Sequence, residues 1–158
     1  MNGTERFASL AGDFCRWVEA APGTGEFELA RARAFAARLY AAALDLAAGT
    51  ADDQPAPALA GGLDYQDAFR RFAVLPIQAY GCADPLVVPP SSALLADVAD
   101  DLADTYIDVR RGLALYLDGR VAAATWEWAF GFRTHWGTHT ASALVALHAA
   151  STRCSGQR

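Results

Sequence analysis

Seven apolar side chains at three- and four-residue steps, Leu95, Val98, Leu102, Tyr106, Val109, Leu113 and Tyr116, dominate the middle of this chain. At about 100° per residue they fall in a single arc, so the segment is an amphipathic helix with one side toward a core. Ser91 or Ser92, after Pro89 and Pro90, supplies its N-cap and Gly119 its stop, which sets the helix at 92–118. The opposite face is acid. Asp97, Asp101, Asp104 and Asp108 are spaced four, three and four residues apart and share one narrow stripe, with Asp100 beside it. Like charges at these spacings weaken an isolated helix, so the stripe calls for solvent, a cation or a partner.

The same periodicity predicts four more helices. Thr4 caps one over 4–20 that carries Phe7, Leu10, Phe14 and Val18 and ends before Pro22. A second, over 26–48, carries Leu29, Ala32, Leu39, Ala43 and Leu46 and stops at Gly49. A third, over 63–75, sets Tyr65, Phe69 and Phe72 on one side and ends at Pro76. The fifth, over 120–150, holds three of the four Trp and all three His. Gly131 and Gly137 each cost about 1 kcal/mol relative to Ala inside such a helix, which calls for close helix contact or a break near His135. Alternating strand patterns are absent, so the expected class is all-α. The two Pro/Gly-rich gaps, 49–62 and 81–92, are too short to separate domains. The expectation is one bundle of about five helices over 1–150, with a frayed tail at 151–158.

Composition narrows the partners. Eighteen acidic against thirteen basic residues give a net charge of −5, which excludes nucleic acid and anionic lipid as main partners. All thirteen basic residues are Arg, a bias expected of a GC-rich bacterial genome. Cys15, Cys82 and Cys154 are odd in number and form no CxxC pair, so neither a disulfide framework nor a thiolate zinc site is implied. The N-terminus has no export signal, and the most apolar stretch, Ala34 to Leu46, is broken by Arg38 and Asp45. A cytoplasmic protein without a membrane anchor is expected.

A short turn at Gly119 and Arg120 makes the last two helices a long antiparallel hairpin, in which residues equally far from the turn sit at the same height. Asp104 then lies opposite His135 and Asp100 opposite His139. If the faces match, two His at i, i+4 meet two or three Asp inside a bundle, a donor set suited to a divalent ion with Asp100, Asp104, His135 and His139 as its ligands. The same atoms can form His–Asp hydrogen bonds with no metal, or carry acid/base chemistry. The candidate polar cluster is therefore Asp100, Asp101, Asp104, Asp108, His135 and His139, with Tyr106, Trp128, Phe132 and Trp136 as its aromatic surround. The HxxxH pair lacks the Glu of the HExxH zinc protease motif. Glu127 stands near Arg111 and is read as an ion pair. Phosphate-cradling glycine loops and a nucleophile elbow are both missing.

The stretch ADDLADTYIDVRRGLALY (Ala99 to Tyr116), followed by WEWAFGFRTHWGTHTASALVALH (Trp126 to His148), resembles the bacterial family catalogued as domain of unknown function 5063. Upstream, FAVLPIQAYGCADPL (Phe72 to Leu86) is similar to that family's aromatic segment, and FASLAGDFCRWVE (Phe7 to Glu19) to its first helix. Thr105 stands where the pattern calls for Ile. The residues matching the motif are Asp100, Asp101, Asp104, Tyr106, Asp108, Trp126, Trp128, Phe132, His135, Trp136, Gly137 and His139. The resemblance implies a small helical protein of unassigned activity, and it carries over no catalytic residue.

Two classes of function remain. The first is an interaction module whose acidic face docks a basic protein partner or a second copy of the chain, which suits the net charge and the aromatic content. The second is a divalent-metal-binding bundle, with a metal-dependent hydrolase of the nucleotide pyrophosphatase type as its fold-level analogy. His ligands favour Zn, Mn or Fe over Mg. On sequence alone, binding ranks above catalysis.

Overall fold

The computed structural model describes residues 2–59, 61–90 and 92–155. It is mostly helical, with six α-helices among the described residues: α1 (Gly3–Glu19), α2 (Gly25–Ala43), α3 (Tyr65–Arg71), α4 (Val98–Leu117), α5 (Val121–Thr134) and α6 (Trp136–Ser155). A single 3-10 turn, Phe72–Val74, follows α3, and a two-stranded antiparallel sheet precedes α4. Its strands are β1 (Ala79–Cys82) and β2 (Leu94–Asp97), with Ala79 opposite Asp97 and Cys82 opposite Leu94. No described helix is long and apolar enough to cross a membrane.

The helical class stands, and the two short strands correct the expectation of no strands and the start of the acidic helix together. Four-residue strands are too short to display alternation, and their pairing joins segments eleven residues apart across a proline-rich loop. Leu95 consequently lies on β2 and is 84% exposed rather than packed in the core. Ser92 caps nothing, and Ser91 lies outside the described residues. Asp97 is the cap, its carboxylate accepting from the N–H groups of Ala99 (2.7 Å) and Asp100 (3.4 Å). At α1 the cap is Asn2 rather than Thr4, in a reciprocal capping box with Glu5. Helix α2 ends five residues earlier than expected, and α6 runs through the supposed tail to Ser155; residues 156–158 lie outside the described residues.

Helix α4 is the centre of the packing, in contact with α1, α3, α5 and α6. Its turn into α5 carries both hydrogen bonds of a Schellman motif, Arg120 N–H to Leu115 C=O at 3.0 Å and Gly119 N–H to Tyr116 C=O at 3.1 Å. Gly119 sits at φ 81°, where a side chain is strained. Trp128 and Trp136, both fully buried, pack on Phe7 at centroid distances of 4.8 and 6.0 Å. Their indole N–H groups donate to Val109 C=O (2.9 Å) and Trp128 C=O (3.1 Å), so neither buries an unpaired donor. The second buried polar feature is Glu28, 2% exposed, which accepts from Arg71 at 2.7 Å, Trp17 at 2.9 Å and the Gly23 N–H at 2.8 Å. Glu127 pairs with Arg111 at 3.0 Å, as expected.

Two glycines inside helices should respond to alanine with opposite signs. A Cβ at Gly112 would lie 2.2 Å from Trp128 Nε1 and 2.5 Å from its Cδ1, and the buried indole has nowhere to move. A Cβ at Gly12 meets only the mobile end of Arg16, at 3.4 Å. Gly112→Ala is expected to cost about 1–3 kcal/mol through overpacking, and Gly12→Ala to stabilise by about 0.5–1 kcal/mol through helix propensity. Urea melts measure both, and a stabilised Gly112→Ala would contradict the packing described.

Candidate functional site

The acidic stripe of α4 faces the elbow between α5 and α6. The chain leaves helical geometry at His135, with φ −148° and ψ −86°, so the expected fifth helix is two helices. The His135 N–H still donates to Gly131 C=O at 2.8 Å, closing α5, while its carbonyl accepts from Thr138 N–H at 3.1 Å, opening α6. The two flanking glycines make room for this bend. A Cβ at Gly137 would lie 2.1 Å from Phe132 C=O, and one at Gly131 would lie 2.9 Å from Trp136 Cδ1. Trp136, fully buried beside the bend, anchors it to the core.

Both histidines meet carboxylates through Nδ1. His135 contacts Asp108 Oδ2 at 2.7 Å, and His139 contacts Asp101 Oδ1 at 2.7 Å. His139 Nε2 lies 3.5 Å from Asp104 Oδ2, and the two imidazoles meet edge to face at 4.9 Å. The pairs differ from the equal-height count, which set Asp104 against His135 and Asp100 against His139. Helical side chains lean toward their own N-terminus, and in an antiparallel pair the two leans are opposed. The partner of His135 is therefore the Asp one turn nearer the connection, Asp108. Asp104 remains near both rings: one donor atom from each of Asp104, His135 and His139 lies within 4.8 Å of the other two. Asp100, Asp101 and His139 form a second such group.

Two tyrosines complete the cluster. Tyr65 on α3 donates its hydroxyl to Asp100, and Tyr80 on β1 donates to Asp101 Oδ2 at 2.5 Å. Sequence reasoning misses both. Tyr65 shares one side of its helix with Phe69 and Phe72, which signals no acidic partner, and Tyr80 reaches Asp101 only because β1 pairs with the strand that leads into α4. The aromatic surround is partly displaced. Trp128, Trp136 and Phe132 pack beneath the elbow, with Phe132 and Trp136 centroids 5.0 Å apart. Tyr106 points the other way, its hydroxyl donating to Glu19 at 2.7 Å and accepting from Leu63 N–H at 3.0 Å. Thr105, the departure from the family pattern, meets Thr140 hydroxyl to hydroxyl at 3.0 Å in the buried seam of α4 and α6. His148 is exposed and apart from the pair.

The electrostatics follow from the geometry. The hydrogen bond His139 donates to the Asp101 carboxylate holds the His139 pKa above its ordinary value; burial opposes this, and the charges of Asp101, Asp104 and Asp100 reinforce it. Asp104 is raised first by burial and further by Asp100 and Asp108, against the lowering effect of the two histidines. Asp101 is almost enclosed, its side chain 8% exposed, whereas the His135 side chain is 47% exposed. The cluster thus runs from a buried carboxylate out to solvent.

The family model described as domain of unknown function DUF5063 matches residues 2–153. The crystal structure of protein BF1032 from Bacteroides fragilis superposes with a TM-score of 0.73 at 19% identity over 96% of each chain. That likeness extends to the fold. No curated protein matches the chain.

In the presence of EDTA, the His139 shift sets the sign of a pH effect. A raised folded pKa means that the folded state binds the extra proton, so the stabilisation is complete below the unfolded value of about 6.5 and fades as pH rises through the folded one. Asp104 acts with the same sign, its contribution present below the ordinary carboxylate range and lost as pH rises through its raised pKa. The urea midpoint of the EDTA-treated protein should fall between about pH 6 and pH 8.5, and His139→Gln should flatten that fall. A midpoint that rises over this window in wild type would refute the assignment.

Proposed function

The chain belongs to the family of domain of unknown function DUF5063, and we propose that it is a divalent-transition-metal-binding helical bundle with Asp104, His135 and His139 as the protein ligands. The observation that carries this reading is the state of the two Nδ1 atoms. Each is engaged by a carboxylate at 2.7 Å, Asp108 for His135 and Asp101 for His139. Metal-bound histidines are commonly held this way, with one ring nitrogen fixed by a carboxylate and Nε2 left for the ion. The 3.5 Å between His139 Nε2 and Asp104 Oδ2 is close to the ~3.4 Å edge of a tetrahedron with ~2.1 Å bonds to zinc. Two imidazoles and a carboxylate suit Zn, Fe, Mn or Co, whereas Mg and Ca prefer all-oxygen sets. Asp100, named as a ligand from the sequence, accepts from Tyr65 and belongs to the second group, with Asp101 and His139.

An interaction module is the second reading, and it draws on a different surface. The acidic face that would dock a basic partner is turned to the two histidines and two tyrosines. The most exposed large apolar side chains among the described residues are on β2 and the loop that joins it to β1: Leu86 is 90%, Val88 87% and Leu95 84% exposed.

Calorimetric titration of chelator-treated protein with zinc(II) tests the metal reading. One equivalent should bind, and His135→Ala or His139→Ala should abolish that phase. Asp108→Asn, which frees the His135 ring without removing a ligand, should weaken binding about 10–100-fold. Arg111→Ala, outside the cluster, should leave binding unchanged. Circular dichroism of each variant reports whether the bundle is intact. Folded histidine variants that bind as tightly as wild type would remove the proposal.

A further inference from the structure

The centre is open on one side and sits in a one-sided field. Its ligands come from α4 and from the α5–α6 elbow, and the His135 side chain is 47% exposed, so a bound ion keeps at least one position toward solvent. Four carboxylates gather about the two imidazoles, Asp108 at His135 and Asp101, Asp104 and Asp100 about His139. Among the described residues their side-chain partners are Tyr65, Tyr80, His135 and His139, and no arginine bonds to any of them. The N-terminal turns of α4 and α6 contribute about half a positive charge each. Together with a divalent ion these fall short of the four negative charges, so the open side stays negative even when the metal is bound.

Sites that take phosphoryl groups surround them with positive charge, from arginine, lysine or metal ions, in excess of what the protein's own acids consume. This cluster does the reverse. We infer that the open side of the centre takes a neutral or cationic substrate that coordinates the ion through a carbonyl oxygen, of the amide kind, and turns away phosphate esters and polyphosphates. The inference rests on the reading of Asp104, His135 and His139 as ligands, and it departs from the nucleotide pyrophosphatase analogy on charge.

Cobalt(II) loaded into the full chain at one equivalent gives a visible spectrum that shifts when an exogenous ligand enters its coordination sphere. Acetamide, neutral both free and bound, and inorganic phosphate are titrated separately, each referred to its affinity for free cobalt(II). On that scale the amide should be favoured at least tenfold over phosphate. Asp100→Asn removes one charge outside the ligand set and should narrow the preference about threefold, the effect of a unit charge at ~6 Å in a water-like dielectric. Equal or reversed preference overturns the substrate class and leaves the metal centre standing, as does a spectrum that neither ligand moves. A chain that takes up no cobalt(II) overturns the metal reading itself, and the substrate class with it.

Discussion

The contact between Gly112 and the Trp128 indole sets the geometry on which the rest of the molecule depends. Only a residue without a side chain lets α5 approach α4 closely enough for Trp128 Nε1 to reach Val109 C=O at 2.9 Å. The Trp128 carbonyl then receives the Trp136 indole N–H, which fixes the first residue of α6 against the same layer. His135 lies between those two tryptophans. Its place beside Asp108 is thus determined by helix packing two turns away, and the site inherits the rigidity of the core.

This explains why faces were legible in the sequence and partners were not. The spacing of Asp101, Asp104 and Asp108 puts them on one side of any helix that contains them, and the core positions of α4 from Val98 to Leu113 follow from the same count. Pairing across two helices needs more than height. It depends on the lean of each side chain and on the departure from helical geometry at His135, neither of which a residue count contains. Gly131 and Gly137 did signal a bend. What they could not signal is that Trp136, rather than His139, turns into the core.

The β-hairpin was illegible for a different reason. Its four-residue strands are held by pairing with each other, and Leu94 and Leu95 read equally well as the apolar side of a helix. Asp97 decides the matter locally, because its carboxylate caps the helix seven residues after the second proline. The hairpin then delivers Tyr80 to Asp101, so the part of the fold least visible in the sequence supplies one of the cluster's donors.

The molecule also contains its own comparison for the charge of that cluster. Glu28 is as buried as Asp101, but an arginine, an indole N–H and a backbone N–H converge on it. Burial raises its pKa, and the hydrogen bonds and charge of Arg71 outweigh this with help from Gly23 and Trp17, so the carboxyl ends below its ordinary value. Asp104 ends above its ordinary value, because burial and two neighbouring carboxylates act on it against only the histidines. One buried carboxylate is therefore satisfied by its own protein, and the other group holds more negative charge than the side chains around it neutralise. None of the arginines among the described residues pairs with these four aspartates. A divalent cation bound between Asp104 and the two imidazoles would offset most of that excess and still leave the open side negative, short of the balance Glu28 already has.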